Sequence, residues 1–586
     1  MAVHSRWIPR RNEIEAAPTG DGLVSLHGQL LGQTLWSRGL EDPTLAQSYL
    51  NPSLSQLKSP FTLLNLRESA ERLADAIEAS EALCVYADYD MDGMSGLALL
   101  YSFLQACGVK KVCHFQPHRF EQGYGLHASA LEDLAEKGVH VVVTVDTGTT
   151  ALEAAKRARE LGLSLIITDH HQVGETLPDT PWLINPNQPA DKSGLGYLSG
   201  AGTAFYLCMG LRALLRERGY FARTQLAEPD LRLWLDLFVL GTVGDVVELK
   251  GDNRALVRAG LEQLRASRRT GLRRLVEQCF ADAPRISARD VGFSIVPKLN
   301  AASRMGQAEL STRLLLCDDD AEATQLVESI VQLNVQRTEI QAGVLAEALE
   351  QAVLQMDAFE GGPRVLVVAG PWHEGVLGIV AAKLADRFAR PAIVLAHIEA
   401  APGASESVLR GSMRVRGPAH CVSLLARASE LLRRFGGHQA AAGMELLAGN
   451  LEALRLRLHQ AATELYGAEH WEEEVFFDGE LANSTSLDEI LKLDRMAPWG
   501  AGNPEPLFLL RQVPLERLGF LKETHVKGKT AWGQELIGFH RAADLRAAKS
   551  AGATHVDVLA TPEINTFRNQ ANVQLRIERL RASQEA

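Results

Sequence analysis

Between about residue 60 and residue 311, short runs of apolar, β-prone residues alternate with longer runs whose apolar positions recur at helical spacing. LCVYAD (83–88), HVVVTVD (140–146) and LSLIITD (163–169) read as strands, while Ser95 to Ala106 and the Ala-rich stretch Thr150 to Leu161 read as helices. Such alternation predicts a doubly wound α/β domain with a parallel sheet. Ala321 to Met356 has no Pro, a single Gly and heptad-like apolar positions, which predicts a long connecting helix. PRVLVVAG (363–370) then opens a second α/β unit, with a PWHEG turn, a helix from Val376 to Arg390 and the strand PAIVLA (391–396). From near Glu472 the pattern becomes β-rich, with VFFDGEL, PLFLLRQV, HVDVLATPEI and ANVQLRIERL as strands, a size that suits a small barrel such as an OB-fold. The expected organisation is an irregular lead-in (1–60), a first α/β domain (61–320), a connecting helix (321–356), a second α/β domain (357–468) and an OB-like domain (469–586).

A chain of 586 residues is long enough for several domains with their own cores. Arg6, Arg10 and Arg11 are followed by no apolar stretch, and no segment approaches the roughly 20 apolar residues of a membrane span, so a cytoplasmic protein is expected. Seven scattered Cys without a CxxC pair read as buried free thiols rather than zinc ligands. A net charge of −12 argues against indiscriminate coating of nucleic acid but leaves room for local basic clusters. Of these, Arg268 to Arg274 recurs at helical spacing and reads as a solvated helix face.

The chemistry concentrates in DYDMDG (88–93), VDTG (145–148), TDHH (168–171) and GTVGDVV (241–247). The first three follow strand patterns, so in a parallel sheet their side chains emerge at the edge where α/β proteins place ligands. So much negative charge needs a cation, and oxygen donors with a few His suit Mn²⁺ or Mg²⁺. Alternation along an extended segment would set Asp88, Asp90 and Asp92 on one face, with Asp90 and Asp92 as ligands and Asp88 an additional candidate or an outer support. Asp146 is suited to bridging two ions. Adjacent imidazoles point apart, which makes His170 a ligand and leaves His171 to contact the scissile phosphate or relay a proton. Asp169 is placed to hold an imidazole tautomer. Asp245, among valines, would be costly to bury without a metal partner.

The same four clusters, with PHRFEQGYGL (117–126), SGAGTAFYL (199–207), PKLNAASRMG (297–306), WHEGVLGIVAAKLADRFARP (372–391), RGSMR (410–414), FGGHQAAAGM (435–444), PWGAGNPEPLF (498–508) and EINTFRNQANVQL (563–575), resemble the DHH phosphoesterase superfamily, and within it the RecJ-type single-stranded-DNA exonucleases. The resemblance runs from about residue 60 to the C-terminus. It implies a DHH catalytic domain, a DHH-associated domain carrying a GGH motif, and an OB-like tail. It also implies a metal pair on Asp90, Asp92, Asp146, His170 and Asp245, and a terminal 5′-phosphate pocket at Arg119, Arg304, Ser412 and Arg414, where the guanidinium fork suits phosphate. Gly437 and His438 match a backbone-phosphate contact, with the small residues after His438 read as a helix start.

This sequence departs from the family pattern at Thr147 to Thr149, at Ser303 in NAASR, at Val415 after RGSMR and at Gly244 before Asp245, and no ligand is lost. Tyr86 stands where some members carry a metal-binding His, which implies looser holding of one metal. The implied activity is 5′-to-3′ hydrolysis of single-stranded DNA to mononucleotides with two Mn²⁺ or Mg²⁺ ions, in repair and recombination. The expected partners are single-stranded DNA, a single-stranded-DNA-binding protein and a helicase, with no membrane and a monomeric protein. The alternatives are a phosphodiesterase of oligoribonucleotides or cyclic dinucleotides and a non-catalytic replication scaffold of the same fold. In the tail, Trp499, Phe508, Phe520, Trp532, Phe539 and Phe567 are available for stacking, and Lys522, Lys527, Lys529 and Arg568 for phosphate contacts.

Overall fold

The computed structural model describes residues 5–11, 22–281, 285–359, 362–398, 407–467, 473–481, 485–567 and 570–583. The first domain is built on a five-stranded sheet in the order Val112–Phe115, Leu83–Ala87, Val141–Val145, Ser164–Thr168, Leu183–Ile184, and every pair is parallel. Apart from the edge strand Val112–Phe115, its strands are buried on both faces, which explains their nearly unbroken apolar sequence. Val85, Ala87, Val141, Val143, Val145 and Ile166 face a large core shared with helices Leu66–Glu78, Met91–Ala106, Gly200–Glu217 and Leu235–Gly244. The alternate residues Cys84, Tyr86, Val142, Leu165 and Ile167 face a smaller core under Ala128–Glu136 and Leu152–Glu160. The strand order reverses between Leu83–Ala87 and Val141–Val145, so the crevice at the carboxyl ends of these two strands is the expected ligand position.

The connecting helix spans Asp320–Ala358, with Asp319 accepting from Glu322 N–H as its N-cap. Ala323, Leu326, Val327 and Ile330 belong to the first domain's core. Val344, Ala348 and Ala352 pack with Leu366, Val368, Leu377 and Val394 of the second domain. One helix is therefore rooted in both cores and fixes how the domains face each other. The second domain's sheet runs Leu432–Gly437, Ala441–Leu447, Val408–Arg414, Ala392–Ile398, Leu366–Gly370, parallel only between the last two. The small residues after His438 were expected to start a helix; they form the turn and return strand of a hairpin instead. Alternation explains this, because Ala442, Met444 and Leu446 point into the core at a period of two.

The C-terminal domain is a seven-stranded sheet with the helix Ala542–Ser550 packed on it. Its core is not its own. Leu30, Leu31, Leu35, Ala46 and Leu50 from the N-terminal helices Gln29–Ser37 and Pro43–Leu50 join Phe508, Leu536, Val558 and Leu575. Ser5–Pro9 pairs in parallel with Glu473–Phe477. Arg38 reinforces the junction, donating from Nε to Asp478 at 2.7 Å. The lead-in is thus an integral layer of the last domain. No helix among the described residues is long and apolar enough to cross a membrane.

Candidate active site

The strand Leu83–Ala87 delivers Asp88 to the crevice, and the chain turns at once into a helix. Asp90 is the N-cap, its Oδ1 accepting from the N–H groups of Asp92 and Gly93 at 2.9 and 3.1 Å. Asp92 therefore lies in the first helical turn. The single extended face expected for Asp88, Asp90 and Asp92 does not exist; the helix start overrides the period of two, yet the three carboxylates still reach one centre. Asp92 is buried and accepts from the N–H groups of Gly200 and Ala201, the latter at 2.9 Å, at the start of Gly200–Glu217. Gly241 is needed here: a Cβ on it would lie 2.5 Å from Asp92 Oδ1.

Asp146 leaves its strand in the left-handed conformation, φ 61°, a region that Asp tolerates better than bulkier residues. Its Oδ1 lies 3.1 Å from His170 Nε2 and 3.7 Å from His171 Nδ1. His170 Nε2 is also 3.4 Å from Asp245 Oδ2 and 3.7 Å from Asp92 Oδ2. Asp245 is the C-cap of Leu235–Gly244. Asp169 is buried and holds the TDHH segment together: Oδ1 accepts from His170 N–H and from His171 Nδ1, both at 2.7 Å, and Oδ2 from Thr149 N–H. His171 Nδ1 is thereby engaged.

Electrostatics mark this crevice as incomplete without a cation. Burial, and then Asp92 and Asp90, raise the Asp146 carboxyl well above its usual range. Burial and Asp90 do the same to Asp88, and burial and Asp92 push Asp245 up to about 8. Burial lowers His170, keeping it the neutral ligand form. Asp169 differs: burial works against its charge, but the His171 hydrogen bond and the charges of His171 and His170 hold it well below the carboxylate range. Asp88 Oδ1, Asp146 Oδ1 and His170 Nε2 are all buried without a hydrogen-bond partner. Orphaned acceptors of this kind are costly. They fall into three overlapping donor sets, Asp88/Asp90/Asp146, Asp92/His170/Asp245 and Asp146/His170/His171. Carboxylates with imidazole fit Mn²⁺ or Mg²⁺.

The second domain covers the centre. The His438 ring stacks on His171, with centroids 5.5 Å apart and planes at 23°. Gly437 makes the approach possible: it has φ 148°, and a Cβ would lie 2.3 Å from the Ala441 carbonyl. Beside the acidic crevice lies an arginine group. Arg119 donates to Ser303 Oγ, Arg304 to the Gly375 carbonyl, and Arg414 to Ser412 Oγ at 2.6 Å and to the Met413 carbonyl. These partners are all neutral. Burial, followed by Arg119, Arg414 and Arg337, pushes Arg304 down to about 9, a shift that an anion beside it would oppose.

Sequence reasoning missed the supports behind the imidazoles. Asn185 Nδ2 donates to the His171 carbonyl at 2.8 Å, and Asn187 Nδ2 donates to the His170 carbonyl. The available signal was NPN (185–187), placed directly after a short apolar run. Tyr124, whose OH lies 3.2 Å from His171 Nδ1, was quoted only within a longer motif.

Comparison with known proteins agrees with this architecture. The DHH family N-terminal domain matches residues 82–242, the DHHA1 domain 362–464 and the RecJ OB domain 477–579. The single-stranded-DNA-specific exonuclease RecJ of Dickeya dadantii (strain 3937) is 36% identical over 544 residues, covering 91% of this chain and 93% of that protein. This chain belongs to the RecJ family of the DHH superfamily. The RecJ of Escherichia coli (strain K12) is 34% identical over 536 residues, 88% of this chain and 90% of that one. A crystal structure of RecJ in complex with Mn²⁺ from Thermus thermophilus has a TM-score of 0.80 at 30% identity, covering 99% of this chain and 80% of that chain. A RecJ structure with Mg²⁺ from the same organism has a TM-score of 0.74. The metals in those two structures are ones that the donor set here suits.

Proposed function

We propose that this chain is a metal-dependent, single-stranded-DNA-specific exonuclease that proceeds from the 5′ end, releases mononucleotides and serves DNA repair and recombination. The observation that carries this reading is the pairing of two unbalanced groups, orphaned buried carboxylates and imidazole on one side and arginines with only neutral partners on the other. Asp90, Asp92, Asp146, His170 and Asp245 would hold two ions, with Asp88 as a further candidate; Asp146 and His170 each belong to two of the donor sets. Mn²⁺ or Mg²⁺ bound there supplies an activated water and stabilises charge on the attacking and leaving oxygens.

The remaining residues position the strand. Arg119, Arg304, Ser412 and Arg414 clamp the terminal phosphate. Arg119 lies within electrostatic reach of Asp88, and Arg304 of Asp90, so a phosphate held there sets the next phosphodiester at the acidic crevice. His171, its Nδ1 fixed by Asp169, presents Nε2 for a hydrogen bond or a proton to a phosphate oxygen. Gly437 and His438 press on the backbone from above. Contacts of this type read phosphate rather than base, which gives little sequence preference. The test compares 5′-labelled and 3′-labelled single strands and a blunt duplex in Mn²⁺. The expected result is immediate release of labelled mononucleotide from the 5′-labelled strand alone; first release from the 3′ label, or equal cleavage of duplex, would overturn the reading.

A further inference from the structure

Outside the crevice, the first sheet carries a pair of thiols that the proposed reaction does not use. Cys84 and Cys113 sit on neighbouring parallel strands in direct register. Strands lie about 4.8 Å apart, within the roughly 4.4 to 6.8 Å that a disulfide spans between Cα atoms. Cys84 is fully buried, whereas Cys113 is exposed, because Val112–Phe115 is the edge strand and has a neighbour on one side only. Cys113 Sγ is turned toward the neighbouring strand, donating to the Leu83 carbonyl at 3.6 Å, and the adjacent Cys84 lowers the Cys113 thiol to about 7, while Cys113 and burial raise Cys84. The accessible thiol is thus the more nucleophilic partner and the hidden one is placed to resolve an adduct on it.

We propose that Cys84 and Cys113 form an oxidisable dithiol whose disulfide slows the enzyme. The Cys113 thiolate attacks one sulfur of a low-molecular-weight disulfide, forming a mixed disulfide and releasing one thiolate. Cys84 Sγ then attacks Cys113 Sγ, the second small thiolate leaves, and it takes up the Cys84 proton. Two cysteine thiols are oxidised and one small disulfide is reduced to two thiols. A bridge between directly opposed residues draws their side chains closer than a parallel ladder holds them, and strained disulfides of this kind are the labile ones.

The consequence reaches the crevice through short connections. Cys84 is four residues before Asp88 on the same strand, and Gln116, directly after the edge strand, donates from Nε2 to the Asp88 carbonyl at 3.0 Å. Two pairs further along, on the same face, Tyr86 stacks on Phe115 at 5.2 Å, and its OH donates to the Gly125 carbonyl. The edge strand, with one neighbour to give way, absorbs the bridge by shifting, and Asp88 shifts with it.

The full-length protein is incubated with oxidised glutathione, its remaining thiols are counted, and it is digested without reductant for peptide mapping. The expected result is loss of two of the seven thiols, a linked Cys84–Cys113 peptide, and a several-fold fall in nuclease rate that dithiothreitol reverses. Cys113→Ser should show full basal activity and no fall on oxidation; Cys84→Ala should stop at a glutathione adduct on Cys113. Intact thiols at both positions, a terminal adduct on Cys113 in the unsubstituted protein, or an equal fall in Cys113→Ser would each overturn the proposal. A linked peptide with unchanged rate would overturn its effect on the enzyme. Thiol counting and mapping do not depend on nuclease activity, so failure here is distinguishable from failure of the functional reading.

Discussion

The acidic crevice and the arginine group are both partly buried clusters of like charge, but they are assembled differently. Every carboxylate of the crevice, with His170 and His171, comes from residues 88 to 245 of one domain, and backbone donors fix Asp90, Asp92 and Asp169; only the His438 ring comes from the other. The arginines come from three separate places: a loop after the edge strand, the end of helix Val296–Arg304, and strand Val408–Arg414 of the other domain. The acidic cluster is therefore preorganised by one core, whereas the arginine group comes together only while the connecting helix holds the two domains in place. On the function proposed above, the chemistry is built into the rigid unit, and end recognition into its relation to the second.

The largest break in this comparison is Asp146→Ala. Hydrolysis should fall to background, while thermal unfolding without metal shows equal or higher stability, since a buried carboxylate lacking a partner has been removed. Turnover near that of the parent protein would sink the assignment. Next is Gly241→Ala, which keeps every ligand but drives a methyl into Asp92 Oδ1. Disturbing a ligand's support costs about 10- to 100-fold in metal affinity or activity, so the Mn²⁺ concentration for half-maximal rate should rise; an unchanged titration would show that Asp92 can move freely. Arg414→Ala tests the other cluster. Loss of a charge-assisted contact costs roughly 1.5 to 3 kcal/mol, so cleavage of 5′-phosphorylated strands should drop more than tenfold relative to 5′-hydroxyl strands, and an equal drop on both would make Arg414 a general backbone contact.

The smallest effect is expected from the C-terminal domain. Deleting it would be a poor test, because Leu30, Leu31 and Leu35 would lose the core they share with it. Lys527 and Lys529 are exposed on one strand, and Phe520, Trp532 and Phe539 remain partly exposed, whereas Phe508 is core. Arg568 lies outside the described residues. Replacing both lysines by Ala should weaken long-strand binding a few-fold and flatten its salt dependence by about two phosphate contacts. An unchanged slope measured over a salt series would assign binding elsewhere.

The sequence by itself determined which residues are chemically expensive. Carboxylates at the ends of apolar strands, and an Asp after the largely apolar helix Leu235–Gly244, point to a cation site, because such groups are not buried without a partner. The period of hydrophobicity likewise announced the parallel strands and the long helix. Tertiary structure decided what depends on distant segments meeting. Asp92 reaches the crevice from a helix rather than a strand because Gly200 and Ala201, over a hundred residues away, offer it their N–H groups. The residues after His438 became a strand because they pair with Val408–Arg414, although Ala has no strong preference for strands. The short helices legible before residue 60 gave no sign of what they cover, because the apolar surface that Leu30, Leu31, Leu35, Ala46 and Leu50 bury against belongs to the other end of the chain.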